Sequence, residues 1–450
     1  MPEPDDSSRD HAETTPALSA PQDQPQEEAP PPPVCLHDLH RIPLADLVAQ
    51  ADALGLRIRT DVSRRHLALD IVRETLRRGG EARLTDLLEM DGDCGFLRAP
   101  AFSLRPGRDD PLVPREMIRS LKLQPGLLLT VLLGSPNGRE RGLVVSEILA
   151  IESIPLPEWT EPTDFDKLTP LFPDKRLFLE SPQDPDISAR AVDLVAPLGM
   201  GQRGIIAAPP RSGKTLLLKS LAKAIRTNHP EVVLMILLVD ERPEEVTDFR
   251  AELDCEIYSS TFDEPVARHV QVCEAVCERA KRLVELRRDV VILLDSITRM
   301  ARGYNNLQPR KGRTMSGGVD TKALARPRKF FGSARNVEEG GSLTILATAL
   351  IETHSRMDEL IFEEFKGTGN MEVYLDRQIA EQRVFPAIHI VKSATRRDDL
   401  LYHPDEFERV TALRRQLADL PAGEAMEILL ANLRNTQNNA ELLLAGLRGI

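Results

Sequence analysis

The chain has 450 residues, a formal net charge of −12 and 4% aromatic residues, a length that allows two or three domains and a large buried core. Five cysteines without paired-ligand spacing indicate a reducing compartment, and no apolar run is long enough to span a membrane or form the core of a signal peptide. We therefore expect a cytoplasmic protein with no membrane partner. Its acidity limits any nucleic-acid contact to local grooves or loops.

The first 33 residues contain eight acidic residues, one arginine and hardly any large apolar side chain. Such a segment cannot bury enough apolar surface to order itself, so we predict a disordered acidic, proline-rich tail over 1–33. Apolar residues then recur at helical spacing from Leu44, and again after a Ser63 cap signal, until a glycine pair ends the pattern. This pattern predicts a helical N-terminal subdomain over 34–82.

Short apolar runs separated by Gly, Pro, Asp and Asn follow over 83–154, and strands at this spacing predict a small β-barrel of the OB or cold-shock kind. Proline-rich sequence over 155–180 indicates a linker. Long apolar runs then alternate with helical patterns over 181–450, which predicts an α/β domain with a mostly parallel sheet buried on both faces. Its predicted strands include Val232–Val239, Val290–Leu294, Leu343–Ala347 and Ile388–Val391.

The stretch from Gly201 to Ile225 has the order strand, loop and helix, with the turn PPRSG leading into Lys214 and Thr215. Unpaired backbone N–H groups in such a loop point at one spot, which suits a phosphate. Lys214 would add a charge to the β- and γ-phosphates of ATP, and the Thr215 hydroxyl would hold Mg²⁺. Ala208 replaces the first glycine of the strict G-x-x-x-x-G-K-[ST] pattern. The alternative is a chance Gly-Lys-Thr that opens an ordinary helix.

Acidic residues end two of the apolar strands, at the edge where an open parallel sheet binds ligands. Asp295 follows one strand and fits a carboxylate that arranges the Mg²⁺ shell. Asp240 and Glu241 follow another, and spacing does not decide which of them would deprotonate an attacking water. Alternatively, these acids only cap the next helices. Their coincidence with the phosphate loop favours the catalytic interpretation.

Glycine-rich loops in the second half carry several basic residues. Such loops either contact the phosphates of a threaded strand or form ordinary solvated surface. The pair Arg396 and Arg397 is similarly open, as a finger acting on a neighbouring subunit or as a surface pair. The basic residues of the glycine-rich loops are Arg310, Lys311, Arg313, Arg356 and Lys366.

Seven short motifs accompany the phosphate loop APPRSGKT: DERPEEVT (240–247), STFDEP (260–265), DSITR (295–299), GGVD (317–320), RNVEEGGS (335–342), EEFKGTGNM (363–371) and RVFPA (383–387). Together they resemble the bacterial transcription termination factor Rho family, and the resemblance covers nearly all of 155–450. The family's own phosphate loop is similar in lacking the first glycine.

The resemblance implies a homohexameric ring of RecA-like domains that hydrolyses ATP at subunit interfaces and pulls single-stranded RNA through its channel, with RNA polymerase and elongation factors as further partners. It implies Glu241 as catalytic base, Asp295 as the magnesium-shell acid and Arg396 as the finger that reaches a neighbour's γ-phosphate. The loop Arg313–Gly318, Arg356 and Lys366 are the predicted RNA contacts of the channel. The implied nucleotide-binding residues are Gly199, Met200, Gly201, Gln202, Arg203, Gly204, Arg211, Ser212, Gly213, Lys214, Thr215, Leu216, Arg242, Arg383 and, against adenine, Phe385.

The barrel matches the family less well. GDCGFLR (92–98) resembles the family's RNA-binding segment and makes Phe96 and Arg98 predicted RNA contacts, but Cys94 stands where an aromatic residue is usual. Leu112 likewise replaces a usual tyrosine in DPLVP (110–114). Because bases stack on aromatic faces, we expect weakened RNA binding by this barrel.

Two other functions stay open. A rotary-type ATPase subunit would share the phosphate loop without needing RNA-contacting loops, and GGVD and EEFKGTGNM favour a translocase instead. A divergent Rho-like ring with a weakened primary RNA site would use nucleotide only for assembly or regulation. The intact Lys214, Glu241, Asp295 and Arg396 count against a loss of hydrolysis.

Overall fold

The computed structural model describes residues 31–57, 63–107, 109–134, 142–181, 186–308, 318–320 and 322–448. Almost all of the predicted tail lies outside these residues. So do Arg310, Lys311, Arg313 and most of the loop that ends at Gly318.

The predicted helical subdomain and barrel are confirmed. Ser63 caps the longest helix of the N-terminal subdomain, Arg64–Arg77, because the Ser63 hydroxyl accepts a hydrogen bond from the His66 backbone N–H at 3.4 Å. The strands run in the order β2-β3-β4-β6-β5, and β5 pairs back onto β2, which closes the barrel. The elements of this part are β1 Val34–Cys35, α1 Leu36–Leu39, α2 Leu44–Ala53, α3 Arg64–Arg77, β2 Ala82–Asp91, β3 Cys94–Arg98, β4 Leu112–Val113, α4 Arg115–Ser120, β5 Leu128–Gly134, β6 Val144–Ile151 and β7 Ile154–Pro155.

The segment predicted as a linker packs against the second domain. Phe165 and Leu168 are buried in that domain's core. Two short strands, β8 Pro170–Leu171 and β9 Arg176–Leu177, pair with later parts of the chain. The connection between the barrel and the second domain is therefore ordered by its own apolar and backbone contacts.

The second domain is built on a nine-stranded sheet that is mostly parallel, as predicted. Six strands, in the order β13-β12-β14-β16-β11-β17, are parallel, while β15 and β18 pair antiparallel with β16 and β17. The strands are β10 Leu198–Gly199, which pairs with β9 outside this sheet, β11 Arg203–Ala208, β12 Val233–Glu241, β13 Glu256–Thr261, β14 Asp289–Asp295, β15 Arg335–Val337, β16 Ser342–Leu350, β17 Met371–Tyr374 and β18 Ala394–Thr395.

Helices cover both faces of this sheet, and each face contributes to a separate apolar core. This two-sided burial explains why the strands read as continuous apolar runs. The helices are α5 Ile187–Val195, α6 Lys214–Asn228, α7 Pro243–Glu252, α8 Val266–Glu285, α9 Ile297–Asn306, α10 Ala325–Gly332, α11 Arg356–Lys366, α12 Arg377–Glu381, α13 Pro404–Ala418, α14 Ala422–Arg434 and α15 Asn439–Ala445.

The predicted strand Ile388–Val391 is wrong. Ile388 makes only an isolated bridge to Leu375, and the chain then turns, with the Ser393 N–H bonding to the His389 carbonyl at 3.2 Å. Ile388 and Ile390 are buried, whereas Val391 is 56% exposed. The apolar run therefore fills the core from a turn instead of extending the sheet.

Candidate active site

The phosphate loop, 209–213, joins β11 to α6 at the carboxyl edge of the sheet. Gly213 is the N-cap of α6 with φ +84°, and an added Cβ would lie 3.0 Å from the Phe385 ring. Glycine is therefore required both for the backbone conformation and for the close approach of the ring. The Ser212 hydroxyl donates to the Pro209 carbonyl at 2.8 Å, which tightens the turn. This geometry leaves the first N–H groups of α6 directed at the sheet edge.

Three predicted catalytic groups meet beside this loop. Lys214 forms an ion pair with Asp295 Oδ1, and its Nζ lies 3.6 Å from Glu241 Oε1. Asp295 ends β14 and Glu241 ends β12, the adjacent strand, so parallel pairing brings the two carboxylates together. Both are buried, at 1% and 2% exposure. The structure therefore assembles a lysine and two carboxylates at one point.

The structure distinguishes Asp240 from Glu241, the two candidate bases that the sequence left open. Asp240 has φ +56° and a partly exposed carboxylate that lies 3.8 Å from His269 Nε2. Glu241 faces Lys214, and burial followed by the charge of Asp295 raises its pKa to about 7. A general base works best with a pKa near the operating pH. Glu241 is thus the better placed and better tuned base.

Two residues that the sequence analysis did not single out complete this cluster. Arg299 Nη1 lies 3.0 Å from Glu241 Oε2 and also bonds to the Asp240 carbonyl. The Thr348 hydroxyl donates to Asp295 Oδ1 at 2.8 Å. Arg299 follows Asp295 by one helical turn in DSITR, a spacing that could have indicated it. Thr348 is brought in from β16 and carried no sequence signal.

The remaining oxygens of the two carboxylates fit a metal shell and a water. Asp295 Oδ2 and Glu241 Oε1 are buried and have no hydrogen-bond partner among the described residues. Buried carboxylate oxygens are costly unless something binds them. A hard cation such as Mg²⁺, with its own waters, would supply the missing partners.

A cavity of about 330 Å³ adjoins the loop on its other side. Its apolar lining includes Phe385, which is 38% exposed, and Leu216, which is 67% exposed. Such a slot suits a flat nucleobase. Arg211, Arg242 and Arg383 are exposed at the surface of the described chain.

The predicted nucleotide-binding turn Gly199–Gly204 lies at the opposite edge of the sheet. It runs into the start of β11, whose first two residues are Arg203 and Gly204, whereas the phosphate loop follows β11, so most of the length of that strand, roughly 15 Å, separates the two. Arg396 lies at this far edge too, because its N–H bonds to the Asn370 carbonyl just before β17. The turn and Arg396 therefore cannot contact a nucleotide on their own chain's phosphate loop.

The predicted RNA contacts lie in two places. Arg356 is exposed at the start of α11, and Lys366 lies at its end, 5.8 Å from the ring centroids of Phe362 and Tyr374. Phe96 and Arg98 lie on β3 of the barrel. Arg313 lies outside the described residues.

The barrel site is partly closed by its own ion pairs. Arg98 lies 5.0 Å over the Phe96 ring, and its Nε bonds to Glu89 Oε2 at 2.5 Å. Asp110 pairs with the same guanidinium. Phe96 on β3 pairs with Leu112 on β4, and both side chains are half-buried. A base bound here would meet a single ring, Phe96, whose face Arg98 already covers.

A mostly parallel sheet with a phosphate loop and a buried lysine–carboxylate cluster at its carboxyl edge defines a P-loop ATPase of the RecA-like class. In agreement, the model of the ATP synthase alpha/beta family, nucleotide-binding domain, matches residues 188–395. The chain is 50% identical to the transcription termination factor Rho of Akkermansia muciniphila, with 92% of this chain and 87% of that protein covered. It belongs to the transcription termination factor Rho family.

Other relatives agree. The Rho proteins of Cereibacter sphaeroides and Pseudomonas aeruginosa are 49% and 46% identical, each over 90% of this chain and over 97% and 98% of their own lengths. Among solved structures, an ATPase from a bacterial type III secretion system has a TM-score of 0.53 at 20% identity, covering 69% of this chain and 93% of that one. That likeness concerns the fold alone. Within the described residues, no helix is both long and apolar enough to cross a membrane.

Proposed function

We propose that this chain is the subunit of a homohexameric, RNA-dependent ATPase that pulls single-stranded RNA through a ring and terminates transcription. The observation that carries this proposal is the division of one site between two edges of the sheet. Lys214, Glu241 and Asp295 lie at the carboxyl edge, and Arg396 lies at the other. A finger at the far edge acts only on the nucleotide of a neighbouring subunit, so the site is complete only in an assembly.

The described residues divide the work of hydrolysis. The loop N–H groups and Lys214 bind the β- and γ-phosphates, with Lys214 leaving its ion pair with Asp295. Thr215 and Asp295 would hold Mg²⁺, which would supply positive charge beside the phosphate oxygens. Glu241 accepts a proton from the attacking water, with Arg299 fixing its carboxylate. The neighbour's Arg396 stabilises the charge that develops on the γ-phosphate.

The nucleotide's base occupies the slot beside Phe385 and Leu216. Arg242 and Arg383, both exposed, bind its phosphates or ribose. The turn Gly199–Gly204 contributes across the subunit interface, next to the nucleotide of the neighbouring subunit. This assignment follows from its position at the far edge, beside Arg396.

RNA is bound by the barrel through Phe96 and Arg98 and in the channel through Arg313, Arg356 and Lys366. The names of the relatives are the support for termination as the outcome. RNA polymerase and elongation factors are the further partners that this activity requires. The rotary-type alternative is not favoured, since relatives named Rho share 45–50% identity with the chain, whereas the secretion ATPase shares 20%.

The test is ATP hydrolysis measured with and without single-stranded RNA, on the full chain with Mg²⁺. We expect hydrolysis to rise many-fold with RNA and to require subunit assembly. Equal rates of ATP hydrolysis with and without RNA would contradict the proposal and would favour the rotary-type alternative.

A further inference from the structure

One carboxylate of the barrel links its RNA-binding residues to the ATPase domain. Glu89 Oε2 bonds to Arg98 Nε at 2.5 Å, and Glu89 Oε1 accepts a hydrogen bond from the Gln271 side-chain amide of α8. Gln271 also donates to the Leu104 carbonyl at 3.2 Å. Arg98 and Gln271 therefore share the two oxygens of a single charged group.

The first turns of α8 continue this link toward the sheet. Gln271 Oε1 accepts from the Arg268 guanidinium, which in turn bonds to the Ser103 carbonyl and to the Ser259 carbonyl on β13, the latter at 3.3 Å. Arg268 is buried and Gln271 is half-buried, and burial lowers the pKa of Arg268 to about 10. The network is fixed by these bonds on both sides of the domain boundary.

The same helical turns contact the strand end that bears the catalytic base. His269, beside Arg268, places Nε2 3.8 Å from Asp240 Oδ1. The Asp240 carbonyl is bonded by Arg299, whose guanidinium also contacts Glu241. A shift of the first turns of α8 thus reaches Glu241 through two residues.

A second contact between barrel and α8 lies two helical turns further along and is independent of Arg98. Arg279 pairs with Glu152 and bonds to the Gly126 carbonyl at 3.3 Å. A Cβ on Gly126 would lie 2.5 Å from the Arg279 backbone nitrogen, so the two backbone segments are in close contact there. This contact holds the barrel on α8 while the Glu89 link changes.

We propose that Glu89 and Gln271 transmit RNA binding at Phe96 and Arg98 to α8, and so position Asp240 and Glu241 for hydrolysis. RNA that attracts the Arg98 guanidinium withdraws it from Glu89. The released negative charge then strengthens the bond to Gln271, because a charged acceptor bonds more strongly when no other cation shares it. Gln271 is a positioning residue in this scheme, which rests on the proposed function.

The experiment compares wild type with Gln271→Ala, which removes the link and leaves Phe96, Arg98 and Glu89 in place. Oligo-C binding is measured by fluorescence anisotropy, and ATP hydrolysis is titrated with the same oligo-C. We expect unchanged oligo-C binding and unchanged hydrolysis without RNA, but at least about fivefold more oligo-C for half-maximal stimulation. Arg105→Ala is the matched control, since Arg105 pairs with Glu264 across the same boundary without touching Arg98.

A donor–acceptor exchange adds a readout that a loss of packing would not give. Gln271→Glu places two carboxylates face to face and should weaken stimulation. Combining it with Glu89→Gln restores one donor and one acceptor, so the unfolding midpoint should recover, whereas the RNA response should not, because residue 89 no longer carries the charge that Arg98 releases. The thermal unfolding midpoint of each variant accompanies the titrations.

The outcomes separate the two proposals. If the rate of ATP hydrolysis by wild type does not change with RNA, both the proposed function and this inference are overturned. If wild type responds and Gln271→Ala responds at the same oligo-C concentration, only the inference is overturned. A parallel loss in Arg105→Ala, or a recovered RNA response in the exchanged pair, also overturns it.

Discussion

Lys214 and Asp295 form a buried ion pair at the carboxyl edge of the sheet, and Thr348 donates to the same carboxylate oxygen at 2.8 Å. The pair keeps each charge neutralised inside the protein. ATP and Mg²⁺ would replace it with a phosphate for the lysine and a cation for the carboxylate. The site is therefore arranged to exchange one set of charge partners for another at little cost in desolvation.

Lys214→Ala should lower ATP turnover by at least about 100-fold, because it removes the charge that binds the γ-phosphate and polarises it. The variant should keep its secondary structure by circular dichroism, since Lys214 fills no core volume, although it leaves Asp295 without its cation. Arg226→Ala is the control on the same helix, as Arg226 is exposed near the other end of α6 and bonds to the Pro230 carbonyl. Near-normal turnover by a folded Lys214→Ala chain would contradict the role of Lys214.

The raised pKa of Glu241 predicts a pH dependence of activity. Because the base must be ionised and its pKa is about 7, kcat/KM should fall about tenfold for each pH unit below 7. Glu241→Gln should lose most of the activity and this dependence together. A flat profile between pH 5.5 and 7.5 in wild type would exclude Glu241 as the titrating base.

The same pKa also predicts how stability changes with pH. The folded chain holds the Glu241 proton more tightly than the unfolded chain, whose pKa is near 4.5, so this group favours folding most at low pH. Its contribution is lost as pH rises from about 4.5 through about 7. Glu241→Gln should therefore raise the unfolding midpoint of the nucleotide-free chain more at pH 8 than at pH 5. An equal shift at both values would argue against a raised pKa.

Arg396→Ala subunits should poison mixed rings if Arg396 acts on the nucleotide of a neighbour. Titrating this variant into wild type should lower activity more steeply than its fraction in the mixture. Arg397→Ala is a close control, because Arg397 pairs with Asp399 of its own chain at the surface. A strictly proportional decline would place the action of Arg396 within its own subunit.

The barrel should bind oligo-C weakly and with little preference over oligo-A. Cys94 and Leu112 offer no ring beside Phe96, and each stacked base is worth roughly 1–3 kcal/mol. Leu112→Tyr, facing Phe96 across the strand pair, should tighten oligo-C binding by about tenfold or more in the full chain. Tight and strongly oligo-C-selective binding by wild type would show that another group fills the site.

The sequence predicted those parts of the fold that depend on local patterns. The phosphate loop, the buried parallel strands and the Ser63 cap are each encoded by a short stretch of neighbouring residues. The predicted strand Ile388–Val391 was wrong because an apolar run says that residues are buried, and here a turn buries them.

Parts of the site depend on strand order and register, which the sequence does not state. The pairing of Arg98 with Glu89 requires the β2–β3 hairpin, and Thr348 reaches Asp295 only because β16 lies beside β14. The distance of Gly199–Gly204 from the phosphate loop follows from the direction of β11. Nothing within that turn reveals it.

The pairing of β8 with β15 has a mechanical consequence. The Glu338 N–H bonds to the Thr169 carbonyl at 3.1 Å, and Asn336 pairs with Leu171, so the connector is stitched onto the sheet soon after it leaves the barrel. The short paired connector consequently restricts movement of the barrel relative to the ATPase domain. If the barrel holds RNA as proposed, tension on that RNA would pass into the sheet through these backbone hydrogen bonds.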